Sequence, residues 1–236
     1  MRRQRLPILF ALGLLSIAPV SFRSVLADGK PEAGKTIALF NGKDLQGWYV
    51  YVNHKDKAIS PYDDPKGVIK VEDGVIHISG EEFGCLTTRD EFENYTLRLE
   101  VKWGDKKWPP RDKATTPRDS GILMHCVGPD KVWPKSIECQ IQERDFGDFF
   151  MVGGTTLTVN GKSEKGRVVR TKDAEKPHGE WNVVEVICDG GKIVNVVNGE
   201  VVNEGTEASV TKGKIVLQSE GAEVFYRNVT LTPLGR

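Results

Sequence analysis

The chain has 236 residues, 39% of them hydrophobic, with basic and acidic side chains balanced at 33 each. This balance leaves no bulk positive charge to attract nucleic acid or an anionic membrane, so neither is an expected partner. A chain of this length can bury a core without disulfides or metals and suits one β-sandwich or barrel.

The first 27 residues have the pattern of a secretory signal peptide. A basic start is followed by an apolar run over 6–20 that is short for a membrane span, and the tripeptide VLA at 25–27 fits a small-residue cleavage site. We therefore expect an exported protein, periplasmic or extracellular, in which 28–236 forms a single domain. No membrane span would remain after cleavage, and an uncleaved N-terminal anchor is the alternative.

Short apolar runs separated by turn residues continue along the rest of the chain. Dipeptides such as Asn41-Gly42 and Asn198-Gly199 are typical of hairpin corners, and no helical period or internal repeat is sustained. This pattern predicts an all-β fold, a jelly-roll sandwich of two antiparallel sheets. The predicted strands are 37–40, 47–52, 68–71, 75–78, 85–88, 95–103, 121–126, 136–142, 149–159, 181–188, 192–197, 201–202, 214–218 and 223–232.

The most informative stretch is the predicted hairpin of strands 121–126 and 136–142. In its second strand, Glu138 and Gln140 alternate with apolar residues, so one face is apolar and the other carries a carboxylate and an amide. Alternation in the first strand places His125 on the polar face as well. If the sheet is concave, as in many jelly rolls, this face would line a groove. An ordinary solvated face is the alternative interpretation.

Four cysteines, Cys85, Cys126, Cys139 and Cys188, remain after the predicted signal. In an exported protein they could form disulfides, and Cys126 and Cys139 are predicted on the same apolar face of the hairpin. Small, buried, free cysteines are equally ordinary. The spacings contain no C-x-x-C pair and do not favour a zinc thiolate site.

Seven segments follow one another over nearly all of 28–236, and together they resemble the 3-keto-disaccharide hydrolase family of exported bacterial sugar enzymes. They are LFNGKDLQGW (39–48), VEDGVIHISGEEFGCLTT (71–88), YTLRLEVKWG (95–104), RDSGILMHCVG (118–128), SIECQIQERDFGDFF (136–150), WNVVEVICDGGKIVNVVNGEVV (181–202) and KIVLQSEGAEVFYRNVTL (214–231). The resemblance implies a concanavalin A-like jelly roll and a small-molecule sugar substrate already oxidised to a ketone at C3. It also implies elimination of the aglycone followed by hydration, with a divalent metal as a possible cofactor.

The chain departs from the family pattern at three places near these motifs. The family reads Asn-Ser-Gly-Ile where this chain has Asp119 before Ser-Gly-Ile, and often has arginine where His125 stands. Many members have Leu-Gln-x-His-Gly where Glu220 here replaces the histidine. These departures indicate a divergent subgroup.

Elimination beside a ketone needs a base for the C2 proton, a partner for the enolate oxygen and an acid for the leaving group. Glu138 is the predicted base and His125 the predicted acid or oxyanion donor. Asp119, in phase with His125, is the third catalytic candidate. Each has a simpler interpretation: a solvated strand glutamate, a satisfied strand histidine and a loop ion pair between Arg118 and Asp119.

Other residues of the same region are predicted to bind the substrate. Trp133, in a proline-flanked loop, is a candidate for stacking on a sugar ring. The remaining predicted substrate-binding residues are Arg118, Gln140, Asp148 and Gln218, and Asp148 could equally be a turn former.

A divalent metal could polarise the ketone instead of a protein donor. Glu143 is its candidate ligand, together with Asp119, His125 and Glu138. Strict alternation points Glu143 away from Glu138 unless the strand ends or bulges between them.

The sequence therefore predicts an exported enzyme that cleaves 3-keto-glycosides. An ordinary glycosidase would need two carboxyl groups about 5–9 Å apart across a sugar ring, and the predicted face has no clear second acid. A non-catalytic carbohydrate-binding module is the main rival, since a concave sheet with tryptophans would suffice for it.

Overall fold

Seventeen β-strands and no helix make up the part of the chain that the computed structural model describes, residues 32–235. Within these residues no segment is a helix able to cross a membrane. The predicted signal peptide, 1–27, lies outside the described residues, so export stays a prediction. The strands are β1 Ile37–Ala38, β2 Trp48–Val52, β3 Ile69–Glu72, β4 Val75–Ile78, β5 Gly84–Thr88, β6 Tyr95–Lys107, β7 Gly121–Val127, β8 Lys135–Gln140, β9 Phe149–Val152, β10 Leu157–Val159, β11 Lys162–Glu164, β12 Arg167–Val168, β13 Asn182–Asp189, β14 Lys192–Val197, β15 Glu200–Gly205, β16 Lys214–Ser219 and β17 Ala222–Pro233.

Two antiparallel sheets hold most of these strands. The first, which we call the supporting sheet, has the order β15-β14-β13-β6-β17-β4-β3, with β1 pairing to β17. The second, the site sheet, has the order β12-β9-β8-β7-β16-β5-β2, and β10 and β11 form a small hairpin beside them. The all-β jelly-roll prediction is confirmed.

The core lies between the sheets and is built by strand alternation. On β6, Tyr95, Leu97 and Leu99 are fully buried, while the residues between them face outward. Ile122 on β7 and Ile137 on β8 belong to the same cluster from the site sheet. Burying one such aliphatic side chain stabilises the fold by about 1.5–3 kcal/mol, which fixes the strand register.

A β-bulge in β7 reverses this alternation at one point. The pairing of β7 with β8 slips between Met124 and Val127, and His125 has φ 54°, in the left-handed region. The ring of His125 lies 5.5 Å from that of core residue Tyr95 on the supporting sheet, and Cys126 faces the other side of the site sheet. The prediction that His125 shares a face with Glu138 is therefore wrong, because one extra residue exchanges the faces that follow it.

The same bulge separates the two cysteines of the hairpin. Cys139 packs in the main core, whereas Cys126 joins Cys85 in a smaller cluster on the opposite face. All four cysteines lie in the described part of the chain and are free and buried. The expectation that Cys126 and Cys139 lie on the same face of the hairpin is therefore wrong.

Candidate active site

The site sheet gathers its polar side chains at one end of the face that points away from the core. Antiparallel pairing brings the end of β8, the start of β7 and the end of β16 to this end, since Gln140 pairs with Gly121 and Leu217 with Ile122. The loops that follow β6, β8 and β16 surround it. Three of the seven stretches that carry the resemblance, 118–128, 136–150 and 214–231, therefore converge in space.

Glu138 and Gln218 meet over Gly121. Their strands, β8 and β16, flank β7, and a Cβ on Gly121 would lie 2.0 Å from Glu138 Oε1 and 2.1 Å from Gln218 Oε1. The two polar groups thus occupy space that any other residue at 121 would fill with its own side chain. Both are buried, with 4% of Glu138 and none of Gln218 exposed.

Several polar atoms of this cluster are left without partners among the described residues. They are Oε1 of Glu138, Oε1 and Nε2 of Gln218, and Oδ1 of Asp119. Leaving one buried polar group unsatisfied costs about 1–3 kcal/mol. Such groups gathered in one place are typical of a site that a ligand completes.

Two further carboxyl groups lie near Glu138. Asp119, two residues before β7, forms an ion pair with Arg111, which also donates to Gln142 Oε1 at 3.5 Å. Glu220, just after β16, accepts a hydrogen bond from the indole N–H of Trp133. Asp119 and Glu220 are both buried, so three carboxyl groups share one water-poor region.

Burial raises the pKa of each of these carboxyl groups, and for Glu138 and Asp119 repulsion by neighbouring carboxylates adds to it. For Glu138 burial is the largest cause and the charges of Glu220 and Asp119 add to it. Burial also raises the pKa of Asp119 and of Glu220, against the opposing effect of Arg111. One guanidinium cannot compensate three buried carboxylates, so the cluster retains a proton at higher pH than ordinary carboxyl groups do.

The loop 128–134 of the β7–β8 hairpin, which we call the flap, folds back over the open face of the site sheet. Its Asp130 accepts hydrogen bonds from Tyr49 at 2.6 Å and Tyr62 at 3.0 Å. Its Trp133 reaches Glu220 while leaving 52% of its surface exposed. The flap therefore covers the sheet beside the carboxyl cluster and presents one free aromatic face there.

Four predicted site residues make their contacts with the surrounding loops. Arg118 pairs with Glu143 at 2.9 Å and donates to the Gly104 carbonyl. Gln140 accepts backbone N–H groups of residues 141 and 142. Asp148 is buried between Arg167 and Arg170, at 2.6 and 3.3 Å. These contacts fix the loops around the cluster.

The four predicted metal ligands are not brought together. His125 lies on the core face of the site sheet, and Glu143 is paired with Arg118 at the rim. Neither is therefore a neighbour of Asp119 and Glu138. Over 32–235 no group of three or more His, Cys, Asp or Glu side chains is arranged to hold a metal ion. The expected ligand set is therefore wrong, and we derive no step through a metal.

Sequence reasoning assigned no role to Glu220 or Arg111. The sequence gives a reason to single out Glu220, because it stands where many members of the family have histidine. It gives no such reason for Arg111, which lies in a charged, proline-bearing loop whose path the strand pattern does not specify.

A model of one protein family matches residues 35–232, nearly all of the described chain; it is the 3-keto-alpha-glucoside-1,2-lyase-like domain. The chain belongs to this family. No curated protein sequence matches it.

Solved structures similar to this 3-keto-alpha-glucoside-1,2-lyase-like domain share its fold at low sequence identity. A candidate glycosyl hydrolase of Parabacteroides distasonis is 23% identical with a TM-score of 0.60, covering 85% of this chain and 94% of its own. A β-glucanase of Bacillus licheniformis is 13% identical with a TM-score of 0.53, covering 88% and 100%. A carbohydrate-binding module of Bacillus subtilis is 12% identical with a TM-score of 0.50, covering 66% and 86%. At these identities the likeness shows the fold alone.

Proposed function

We propose that the protein is a carbohydrate-active enzyme that cleaves 3-keto-glycosides by elimination and hydration. The observation that carries the proposal is the buried meeting of Glu138 and the unpaired amide of Gln218 over Gly121, with the carboxyl group of Glu220 near enough to raise the pKa of Glu138. Membership of the 3-keto-alpha-glucoside-1,2-lyase-like family supports the substrate class. The cluster supplies the acid, the base and the oxyanion partner that this chemistry needs.

The surroundings of the two glutamates assign their roles. Glu138 has no ion pair within the described residues, and its burial together with the charges of Glu220 and Asp119 raises its pKa well above the usual value, so it holds the proton in the free protein. Glu220 accepts the N–H of Trp133, and this bond and the charge of Arg111 both favour its ionised form. Glu220 is therefore the base and Glu138 the acid, which reverses the role that the sequence predicted for Glu138.

Elimination begins when Glu220 takes the C2 proton of the bound 3-keto sugar. The C–H electron pair moves into the enolate, whose oxygen at C3 accepts a hydrogen bond from the amide NH₂ of Gln218. The C1–O bond then breaks, and the leaving oxygen takes the proton of Glu138. A C1–C2 double bond remains, Glu220 is protonated and Glu138 is ionised.

Hydration reverses these transfers with water in place of the aglycone. Glu138 takes a proton from water as the oxygen adds to C1, and Glu220 returns its proton to C2. The two glutamates recover their starting states, and the net reaction is hydrolysis. A positioned acid or base typically contributes 10²–10⁴-fold to the rate.

The decisive experiment measures sugar release from 3-keto-trehalose by the purified protein and by the variants Glu138→Gln and Glu220→Gln. Each variant is expected to lose turnover by a factor of about 10²–10⁴ while circular dichroism shows an unchanged fold. Glu200→Gln is the matched control, because Glu200 is exposed and pairs with Lys172 at 2.8 Å on the far edge of the supporting sheet. Wild-type turnover in both cluster variants would contradict the proposal.

A carbohydrate-binding module without catalysis is the second candidate. The half-exposed ring of Trp133 favours it, because an aromatic face beside a polar cleft is sufficient to bind a sugar. This reading predicts saturable binding of unoxidised sugars and no product from 3-keto-trehalose.

A further inference from the structure

The amide of Gln218, which the proposed mechanism uses as the oxyanion donor, takes its position from its backbone. Neither Oε1 nor Nε2 of the side chain has a hydrogen-bond partner among the described residues, although none of the residue is exposed. The amide is therefore placed by packing and by the path of β16 at residue 218, and whatever fixes that path also fixes the amide.

The two edges of β16 differ at this point. Towards β5 the pairing runs on through Gln218 to Ser219. Towards β7 it ends at Leu217, which pairs with Ile122. Gln218 is therefore held by the sheet on one edge, while its other edge has no ladder pair with Gly121.

Ser120 supplies a contact across this unpaired edge. Its hydroxyl donates to the carbonyl of Gln218 at 2.8 Å, and its own carbonyl accepts the backbone N–H of Ile141, directly after β8, at 3.0 Å. None of Ser120 is exposed, so water does not compete for either bond. Ser120 therefore ties the strand of Gln218 to the end of the strand of Glu138.

Tyr226 orients the hydroxyl of Ser120 from the opposite sheet. It lies on β17 of the supporting sheet and is fully buried, and its hydroxyl oxygen is 2.7 Å from Ser120 Oγ. A serine hydroxyl has a single proton, and that of Ser120 is donated to Gln218. The hydroxyl of Tyr226 is therefore the donor to Ser120, and this bond directs the Ser120 proton towards the Gln218 carbonyl.

We propose that Tyr226 and Ser120 are positioning residues, which act in series to hold the backbone of Gln218 so that its amide NH₂ meets the enolate oxygen. This inference rests on the proposed function, in which Gln218 is the oxyanion donor. The contact with the enolate forms only as the C2 proton leaves. A displaced amide therefore affects turnover and not the binding of substrate.

The kinetic test compares Tyr226→Phe with wild type on 3-keto-trehalose. The variant keeps the ring and loses one hydrogen bond, which is expected to lower kcat by about two- to tenfold and to leave KM unchanged. Tyr95→Phe is the matched control, because Tyr95 is also fully buried between the sheets but lies against His125 and Phe92. It should keep wild-type kinetics. Unchanged kinetics or a rise in KM alone in Tyr226→Phe, or an equal loss of kcat in Tyr95→Phe, would overturn the positioning.

A second substitution tests whether the two residues act through Gln218. Gln218→Met removes the amide and keeps a side chain of similar length. In this background Tyr226→Phe and Ser120→Ala should each lower kcat no further, because the effects of residues that act in series are not additive. A further loss of about two- to tenfold would show that they affect turnover by another route, and the proposal would fail.

The position of the amide is also measurable without turnover. The side-chain NH₂ signals of Gln218 in a ¹H–¹⁵N NMR spectrum are identified by their loss in Gln218→Met. They should shift in Tyr226→Phe and in Ser120→Ala and stay in place in Tyr95→Phe. Signals that do not move in the first two variants would overturn the inference. Wild-type protein that yields no product from any 3-keto substrate would refute the proposed function, while shifted signals would still establish the link from Tyr226 to Gln218.

Discussion

At the scale of single residues, Gly121 leaves the space in which the side chains of Glu138 and Gln218 meet. A side chain at this position would collide with Glu138 and Gln218, which together fill its place. The backbone of Gly121 is not in the left-handed region, so the constraint is space and not conformation.

Gly121→Ala is therefore expected to displace Glu138 from its position and to lower turnover by at least tenfold, with a loss of about 1–3 kcal/mol in the free energy of unfolding from overpacking. Steady-state kinetics and urea unfolding measure the two effects. Gly191→Ala is the matched control, because Gly191 also has an ordinary φ and meets its nearest neighbours only at 3.3–3.4 Å. Unchanged kinetics in Gly121→Ala would show that turnover does not depend on the space left by Gly121.

Strand alternation and the family resemblance together predicted site roles for Glu138, Gln218, Asp119 and Trp133, and the structure places all four in or beside the carboxyl cluster. They failed for His125, because the bulge in β7 is a backbone feature that leaves the side-chain pattern unchanged. They assigned nothing to Glu220 and Arg111, because these residues reach the cluster from loops. Contacts between loops depend on the path of the whole chain, which local periodicity does not encode.

At the scale of elements, the flap links the exposed face of Trp133 to the proton chemistry of Glu220. The indole N–H stabilises the carboxylate form, which lowers the pKa of Glu220 against the larger, opposing effect of burial. In the proposed mechanism, the flap thereby sets the basicity of the group that takes the C2 proton.

Trp133→Phe keeps an aromatic ring and removes the N–H donor. The pKa of Glu220 should rise, since the ionised form loses its hydrogen bond. The acid limb of the pH profile of kcat/KM is expected to move to higher pH. Trp181→Phe, on the supporting sheet, should leave the profile unchanged. A limb that stays in place or moves to lower pH in Trp133→Phe would contradict the role of the flap.

At the scale of the whole molecule, the carboxyl cluster costs stability. The folded pKa of Glu138 is raised above that of the unfolded chain, so the folded state holds a proton that the unfolded state releases. Below the unfolded pKa both states are protonated and there is no penalty. As the pH rises above that value, unfolding is increasingly favoured until the folded pKa is reached.

Glu138→Gln, although it loses turnover, should therefore be more stable than wild type at neutral pH. The gain should be absent near pH 4 and grow as the pH rises, by at most about 1.4 kcal/mol per pH unit. Thermal unfolding of both proteins between pH 4 and 8 measures it. Glu200→Gln should show no such gain, because Lys172 lowers the pKa of the exposed Glu200. A variant less stable than wild type at pH 7 would contradict the unfavourable burial of Glu138.

The sandwich as a whole was the most predictable feature. Alternation on long strands such as β6 and β13 reports directly which face is buried, and every predicted strand overlaps an observed one. The predicted strand 149–159 instead breaks into β9 and β10, and β11 and β12 lie between it and the predicted strand 181–188, where no strand was predicted. These segments are short and lie at an edge, where turns and ion pairs such as those of Asp148 outweigh periodicity.

The β7–β8 hairpin is one contiguous stretch that carries Gly121, the flap and Glu138 together. A change in the length of its connecting loop would therefore alter the cover of the carboxyl cluster while the sandwich stays intact. Exchange of this single hairpin between relatives would change, in one step, which groups can reach Glu138 and Gln218.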